Sequence, residues 1–218
     1  MTMQTDKPRR KRETPTEKLH RLTAIERELW TQGHVVAGID EVGRGPLAGP
    51  VVTACVSIPS DRLVMGVDDS KKLSEKRREA LLPQLMEAAD YAETCFIWPE
   101  EIDEINILNA TKKAMETCAA GFGGSVILID AVQGLRLPCQ ARSLIHGDAL
   151  SYMIGAASIV AKVTRDRYMI ELDGKYPMYG FARNKGYGTA EHIAALKQYG
   201  PCPAHRRSFI RGILGEGV

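Results

Sequence analysis

The sequence predicts an α/β fold with a mixed sheet flanked by helices, and two observations carry that expectation. Short apolar, β-branched runs alternate with longer helical patterns after an opening pair of strands. Three of the apolar runs lead into an aspartate, Asp40, Asp130 and Asp148, where strands of an α/β sheet deliver side chains to a common crevice.

Residues 1–15 are polar, charged and aperiodic, which predicts a disordered basic arm, and residues 16–32 have the character of one helix closed by Gly33. Residues 35–40 and 51–58 are rich in β-branched side chains and separated by a Gly/Pro-bearing stretch, so two neighbouring strands joined by a structured turn are expected. Ser74 opens a helix on which Leu81, Leu82, Leu85 and Met86 recur at helical spacing. A strand over 91–97 follows, and then Pro99 starts a long, interrupted helical pattern that reaches Gly121. Residues 125–130 form a short buried strand and 142–145 a further one. The longest helical pattern, 151–172, is rich in small residues and should pack closely against a neighbour. Thr189 can cap a helix beginning at Ala190.

At 218 residues the chain is long enough for one sizeable core, and 44% hydrophobic with 26% charged residues exclude a disordered or fibrous protein. The net charge of +2 hides an uneven distribution: residues 1–12 carry +4 and residues 174–218 carry +5. Cys55, Cys95, Cys118, Cys139 and Cys202 include no CxxC pair, which argues against a zinc site or a disulfide framework and for a reducing compartment. The sequence contains neither an apolar run of membrane-spanning length nor a secretory signal, so a cytoplasmic location is expected.

Glu41 beside Asp40 makes four candidate carboxylates, and such mutual repulsion is tolerable when cations neutralise it. Each acid taken alone could be a turn or cap residue, Asp148 above all, because it precedes the longest helix. Oxygen ligands without a Cys or His cluster suit Mg²⁺ or Mn²⁺, and hard ions at acids suit phosphate chemistry. In the adjoining Gly43-Arg44-Gly45 turn the glycines allow a ligand close to the backbone, and Arg44 offers a planar donor fork. Near the other end, Lys185 can contact phosphate and Tyr187 can stack on a sugar or base, or serve as an ordinary packing residue. His205-Arg206-Arg207 is either a phosphate-contacting edge or a solvated basic turn, and His192 and His205 read as structural.

Together these motifs resemble the bacterial type 2 ribonuclease H family, ribonuclease HII. The resemblance rests on the Gly38 to Val52 block around Asp40-Glu41-Val42-Gly43-Arg44-Gly45, on Asp69-Ser70-Lys71-Lys72-Leu73, on Gly147-Asp148, and on the stretch from Ala156 to Arg167. It continues through Tyr179-Gly180-Phe181, Lys185-Gly186-Tyr187-Gly188-Thr189 and His205-Arg206-Arg207-Ser208-Phe209, in the family's order from about residue 35 to 210. The resemblance implies a ribonuclease H-like fold with core 33–173 and a helical substrate-binding extension over 174–218. It implies that Asp40, Glu41, Asp130 and Asp148 are the catalytic, metal-binding acids for two divalent ions, that Gly43, Arg44 and Gly45 sense the ribose 2′-OH, and that Tyr187 marks the ribonucleotide junction. The implied reaction hydrolyses RNA in RNA–DNA hybrids and nicks DNA 5′ of embedded ribonucleotides, leaving 3′-OH and 5′-phosphate ends, with no membrane partner and a monomer as the expected state. Two positions depart from the family pattern: Ala131 stands where glycine is usual, and His146 where lysine commonly precedes Gly-Asp. A nuclease of the same fold acting on DNA junctions, or a hybrid-binding module without catalysis, are the alternatives; the intact acids favour catalysis.

Overall fold

The computed structural model describes residues 13–215. At its centre a five-stranded sheet runs in the order β3-β2-β1-β4-β5, formed by β1 Val36–Val42, β2 Val51–Ser57, β3 Tyr91–Ile97, β4 Val126–Asp130 and β5 Gln140–Leu144. β1 pairs antiparallel with β2 and parallel with β4, so the sheet is mixed as expected. The polar edge strand β5 starts two residues ahead of the run predicted for it and is largely exposed. Its Gln140 and Arg142 keep a sheet edge from being sticky.

Helices cover both faces. On one face α6, Tyr152–Lys175, crosses β1 and packs with α3, Glu75–Ala88, over Val36, Ala54, Val56 and Leu128. The close approach expected of the small-residue helix is met at Gly38, where any Cβ would collide with the backbone of Met153 and Ile154. On the other face α4, Pro99–Ala119, buries Met115 and Cys118 against Ala37, Ile39, Ile127 and Ile129. The interruption predicted in α4 falls at Asn106, whose φ of 64° leaves the helix while its side chain accepts from the N–H groups of Leu108 and Asn109 and starts the helix again.

The single helix expected over 16–32 is two: α1, Pro15–Leu22, and α2, Ala24–Thr31, broken at Thr23. α1 begins inside the stretch expected to be a disordered arm, because Thr14 and Glu17 form a reciprocal capping box and Pro15 takes the first turn. The rest of that arm, residues 1–12, lies outside the described residues. Asp148 also differs from its expectation. β5 stops at Leu144, and Asp148 sits in a one-turn helix, α5, Gly147–Leu150. It does not cap α6 either; Ser151 does, accepting from the Ile154 N–H at 3.2 Å.

After α6 come α7, Phe181–Asn184, α8, Ala190–Tyr199, capped by Thr189 as expected, and α9, Arg207–Leu214. The N-terminus of α9 is held by Asp103 of α4, which accepts from the N–H groups of Arg207 and Ser208 at 2.6 and 2.9 Å. This folds the end of the chain back over the sheet.

Candidate active site

Strand register assembles the acids. Ile39 pairs with Ile129, so Asp40 and Asp130 follow side by side at the same end of two adjacent parallel strands. Side chains alternate along a strand, so Asp40 shares the α6 face with Gly38, while Glu41 turns to the other side of the strand end. Asp40 is buried, with Ser158 of α6 close enough to favour its charged form, and the Ser158 hydroxyl shares a 2.8 Å hydrogen bond with Ser70. Burial, then the neighbouring charges of Glu41 and Asp130, push the Asp40 carboxyl up to about 8. Glu41 is also raised, by burial first, although Arg44 opposes the shift through an ion pair at 3.3 Å.

Asp130 accepts from the Gly147 N–H at 2.9 Å, which draws α5 onto the end of β4 and brings Asp148 beside it. A Cβ on Gly147 would sit 2.6 Å from the tip of the Ile154 side chain, which the glycine leaves undisturbed. Lys71 stands over the group, with its ammonium 3.6 Å from Asp148 and within electrostatic reach of Asp40. Thus Asp40, Glu41 and Asp130 feel one another directly, and Asp148 joins them through Lys71. Among the described residues no three His, Cys, Asp or Glu side chains are drawn into a closed coordination shell. The donor set nevertheless fits a hard divalent cation: it is oxygen-only, and the raised carboxyls are those that a cation would return to their charged form.

The glycine turn is held from beneath by two buried arginines. Arg165 of α6 donates to the carbonyls of Pro50, Lys185 and Ala48 at 2.8, 2.9 and 3.1 Å. Arg206 donates to Gly43, Arg44 and Gly49 at 2.6, 2.9 and 2.8 Å. Burial lowers both guanidiniums, to about 10 and about 9, and among the described residues neither has a carboxylate in contact. A trans peptide points its N–H opposite its carbonyl. The N–H groups of Arg44 and Gly45 therefore face away from Arg206. Gly43 has a φ of 89°, and a side chain there would strike the Arg165 guanidinium.

Arg206 is accordingly neither the phosphate-contacting edge nor the solvated turn that the sequence suggested; its side chain is fully buried. Neither its role nor that of Arg165 was read from the sequence. The available signal was the spacing of Arg165, seven residues from Ser158 and so on the same face of the helix. Tyr187 reaches the same turn from the far end of the chain: its ring lies 3.8 Å from where a Cβ on Gly45 would sit, and it remains 44% exposed. The loop carrying it is stitched to the turn by Leu47 N–H donating to the Gly186 carbonyl at 2.8 Å. Lys185 is more committed than expected, since its ammonium donates to the Ala182 carbonyl at 2.6 Å. His192 and His205 are buried and structural, as expected.

A mixed sheet of this topology, with acids gathered at the ends of its central strands, defines the ribonuclease H-like class of nucleases. The ribonuclease HII family pattern matches residues 37–212, four-fifths of the chain, and the chain belongs to that family and is a ribonuclease H enzyme. A ribonuclease HII of Acetivibrio thermocellus is 50% identical over 192 residues, covering 87% of this chain and 75% of its own. The crystal structure of ribonuclease H2 from Pyrococcus horikoshii OT3 superposes with a TM-score of 0.70 at 30% identity, over 82% of this chain and 96% of that one. Bst ribonuclease HIII in complex with Mn²⁺ shares the fold, with a TM-score of 0.61 at 18% identity over 75% of this chain and 61% of that one.

Proposed function

We propose that this enzyme hydrolyses the RNA of RNA–DNA hybrids and also nicks DNA duplexes on the 5′ side of an embedded ribonucleotide, leaving 3′-OH and 5′-phosphate ends. The observation that carries the second activity is the pinned Gly43-Arg44-Gly45 turn, with Tyr187 against it and Asp40-Glu41 at its start. Backbone donors fixed by two buried arginines suit a single small hydroxyl, the ribose 2′-OH, and the half-exposed tyrosine ring suits stacking at the next sugar. Arg44 and Lys185 are the cationic groups for the flanking phosphates, Lys185 after release from the Ala182 carbonyl.

In this reading Asp40, Glu41, Asp130 and Asp148 hold two divalent ions, Mg²⁺ or Mn²⁺, and Asp148 exchanges Lys71 for a cation. Bound cations of this kind neutralise the phosphate and activate the attacking water. The Mn²⁺ found with the ribonuclease HIII relative supports an ion of this size and hardness. Residues 33–173 act as the catalytic core and 174–218 as the substrate-binding extension that delivers Tyr187. A cytoplasmic monomer fits this reading; no described helix is long and apolar enough to cross a membrane.

The deciding experiment compares a DNA duplex carrying one ribonucleotide with its all-DNA twin, in Mg²⁺ and in Mn²⁺. Cleavage of the first alone, 5′ of the ribonucleotide, is expected. Equal cutting of both, or of neither with either ion, overturns the reading.

A further inference from the structure

The helix pair α1–α2 lies ahead of the segment shared with the family pattern, which begins at residue 37, yet three of its side chains grip the two loops that carry Lys71 and Asp148. Lys18 forms an ion pair with Asp68, directly before the Asp69-Ser70-Lys71 turn. Arg21 donates to the carbonyl of Ala149, the residue after Asp148, at 3.1 Å. Glu26, fully buried, accepts through one carboxyl oxygen from the Ser151 hydroxyl at 2.6 Å and from the Met153 N–H at 3.0 Å.

We infer that α1–α2 is a positioning element of the active site, in which Glu26 and Arg21 set where the α5 turn presents Asp148; the inference rests on Asp148 being a metal ligand as proposed above. The argument is one of cost. A carboxyl group buried at the start of a helix is expensive, and burial raises that of Glu26. Its second oxygen has no hydrogen-bond partner among the described residues. An apolar side chain on α2 beside Leu29 would fill the same space without that cost. What the carboxyl oxygen adds is direction. It ties the Ser151 cap, and so the junction between α5 and α6, to a helix anchored in the core by Leu22 and Leu29. α5 has four residues and little stability of its own, so it holds Asp148 in place only if its surroundings do. Asp130 fixes the start of that turn through Gly147, while Arg21 and Glu26 fix its end.

The test uses the full chain. Glu26→Ala should weaken Mn²⁺ binding, read by calorimetry on the substrate-free protein, by about tenfold, the range known for groups that orient a metal ligand. It should also speed amide exchange over residues 147–154, while the KM for the duplex stays near wild type. Glu26→Gln keeps the acceptor oxygen and mimics the neutral acid, so it should restore both. Arg21→Ala lies at the surface and should give a smaller shift in the same direction. Unchanged Mn²⁺ binding and unchanged exchange in Glu26→Ala, or in Arg21→Ala should the former not fold, overturn the inference. Asp148→Asn runs alongside: wild-type Mn²⁺ binding and cleavage by that variant would sink the site reading and this inference together. A defective Asp148→Asn beside an unaffected Glu26→Ala sinks this inference alone.

Discussion

Arg206 donates to the carbonyl oxygen of Arg44 at 2.9 Å across 162 positions of the chain. The last segment of the protein is thereby wired into the turn next to Asp40 and Glu41. Replacing Arg206 with Lys keeps a charge but loses the planar fork that serves three carbonyls at once. At least one buried carbonyl is then left without a donor, at a cost of about 1–3 kcal/mol. In a chain of this length that lowers Tm by roughly 2–12 °C. We expect Arg206→Lys still to cut RNA–DNA hybrids but to lose preference for a single ribonucleotide over all-DNA duplex, because the backbone donors are no longer fixed. Melting curves and the ratio of cleavage rates on the two duplexes check this; an unchanged ratio would detach the turn from ribose recognition.

The two buried histidines form a relay whose tautomers are set by their partners. The Cys202 N–H donates to His205 Nδ1 at 3.0 Å, so His205 carries its proton on Nε2 and donates to His192 Nε2 at 3.0 Å; His192 Nδ1–H then donates to the Tyr187 carbonyl at 2.8 Å. Both rings must be neutral, since a second proton would set two N–H groups against each other. Burial, then His192, lowers His205 to about 4. The unfolded chain takes up its proton near 6.5 while the folded chain refuses it until about 4, so this contribution is complete above pH 6.5 and is lost as pH falls through that window. By pH 5 the loss is about 2 kcal/mol. Urea midpoints at pH 7.5 and 5 should show it, and His205→Leu should be less stable at pH 7.5 yet lose less on acidification.

Asp40 has the opposite dependence. Its folded carboxyl titrates near 8 and the unfolded one near 3.8, so without cations the fold loses stability as pH rises from about 4 through 8. Asp40→Asn should therefore melt higher than wild type at pH 8 in chelator, and the gap should close near pH 4. Added Mg²⁺ should raise the wild-type Tm more than that of the variant. Cleavage by Asp40→Asn should fall below detection. A variant no more stable than wild type at pH 8 would mean that the acids carry no electrostatic strain for a cation to relieve.

The strands and acids were legible in the sequence because both obey local rules. Strand period and β-branched runs placed β1 to β4, and Asp40 and Asp130 announce themselves at strand ends. What the sequence hid is long-range. Asp148 follows an apolar run yet belongs to a separate helical turn, because Asp130 captures Gly147 across the sheet. Arg206 looked like part of a solvated basic cluster; only the fold turns it inward, onto carbonyls some 160 residues away. The capping box at Thr14 and Glu17 was a local signal that the surrounding charge obscured.

Ala131 and His146, the two departures from the family pattern, both adopt left-handed backbone, with φ of 50° and 60°. Each sits next to an end of the link that carries Asp130 to Asp148. A residue with a Cβ costs about 1–2 kcal/mol in this conformation, whereas glycine adopts it freely but loses roughly 0.5–1 kcal/mol in chain entropy. The balance favours glycine. Ala131 makes its backbone hydrogen bond from N–H to the Leu144 carbonyl at 3.0 Å, which a glycine retains. Its side chain belongs to none of the core clusters. Ala131→Gly should thus raise stability by about 0.5–1 kcal/mol, seen as a Tm gain of roughly 1–4 °C, with Asp130 left where it is and cleavage rates within about twofold of wild type. A lower Tm would mean that the turn is not strained and that the alanine methyl contributes packing; a higher Tm with lost cleavage would mean that stiffness after β4, rather than strain, is what holds Asp130 for its work.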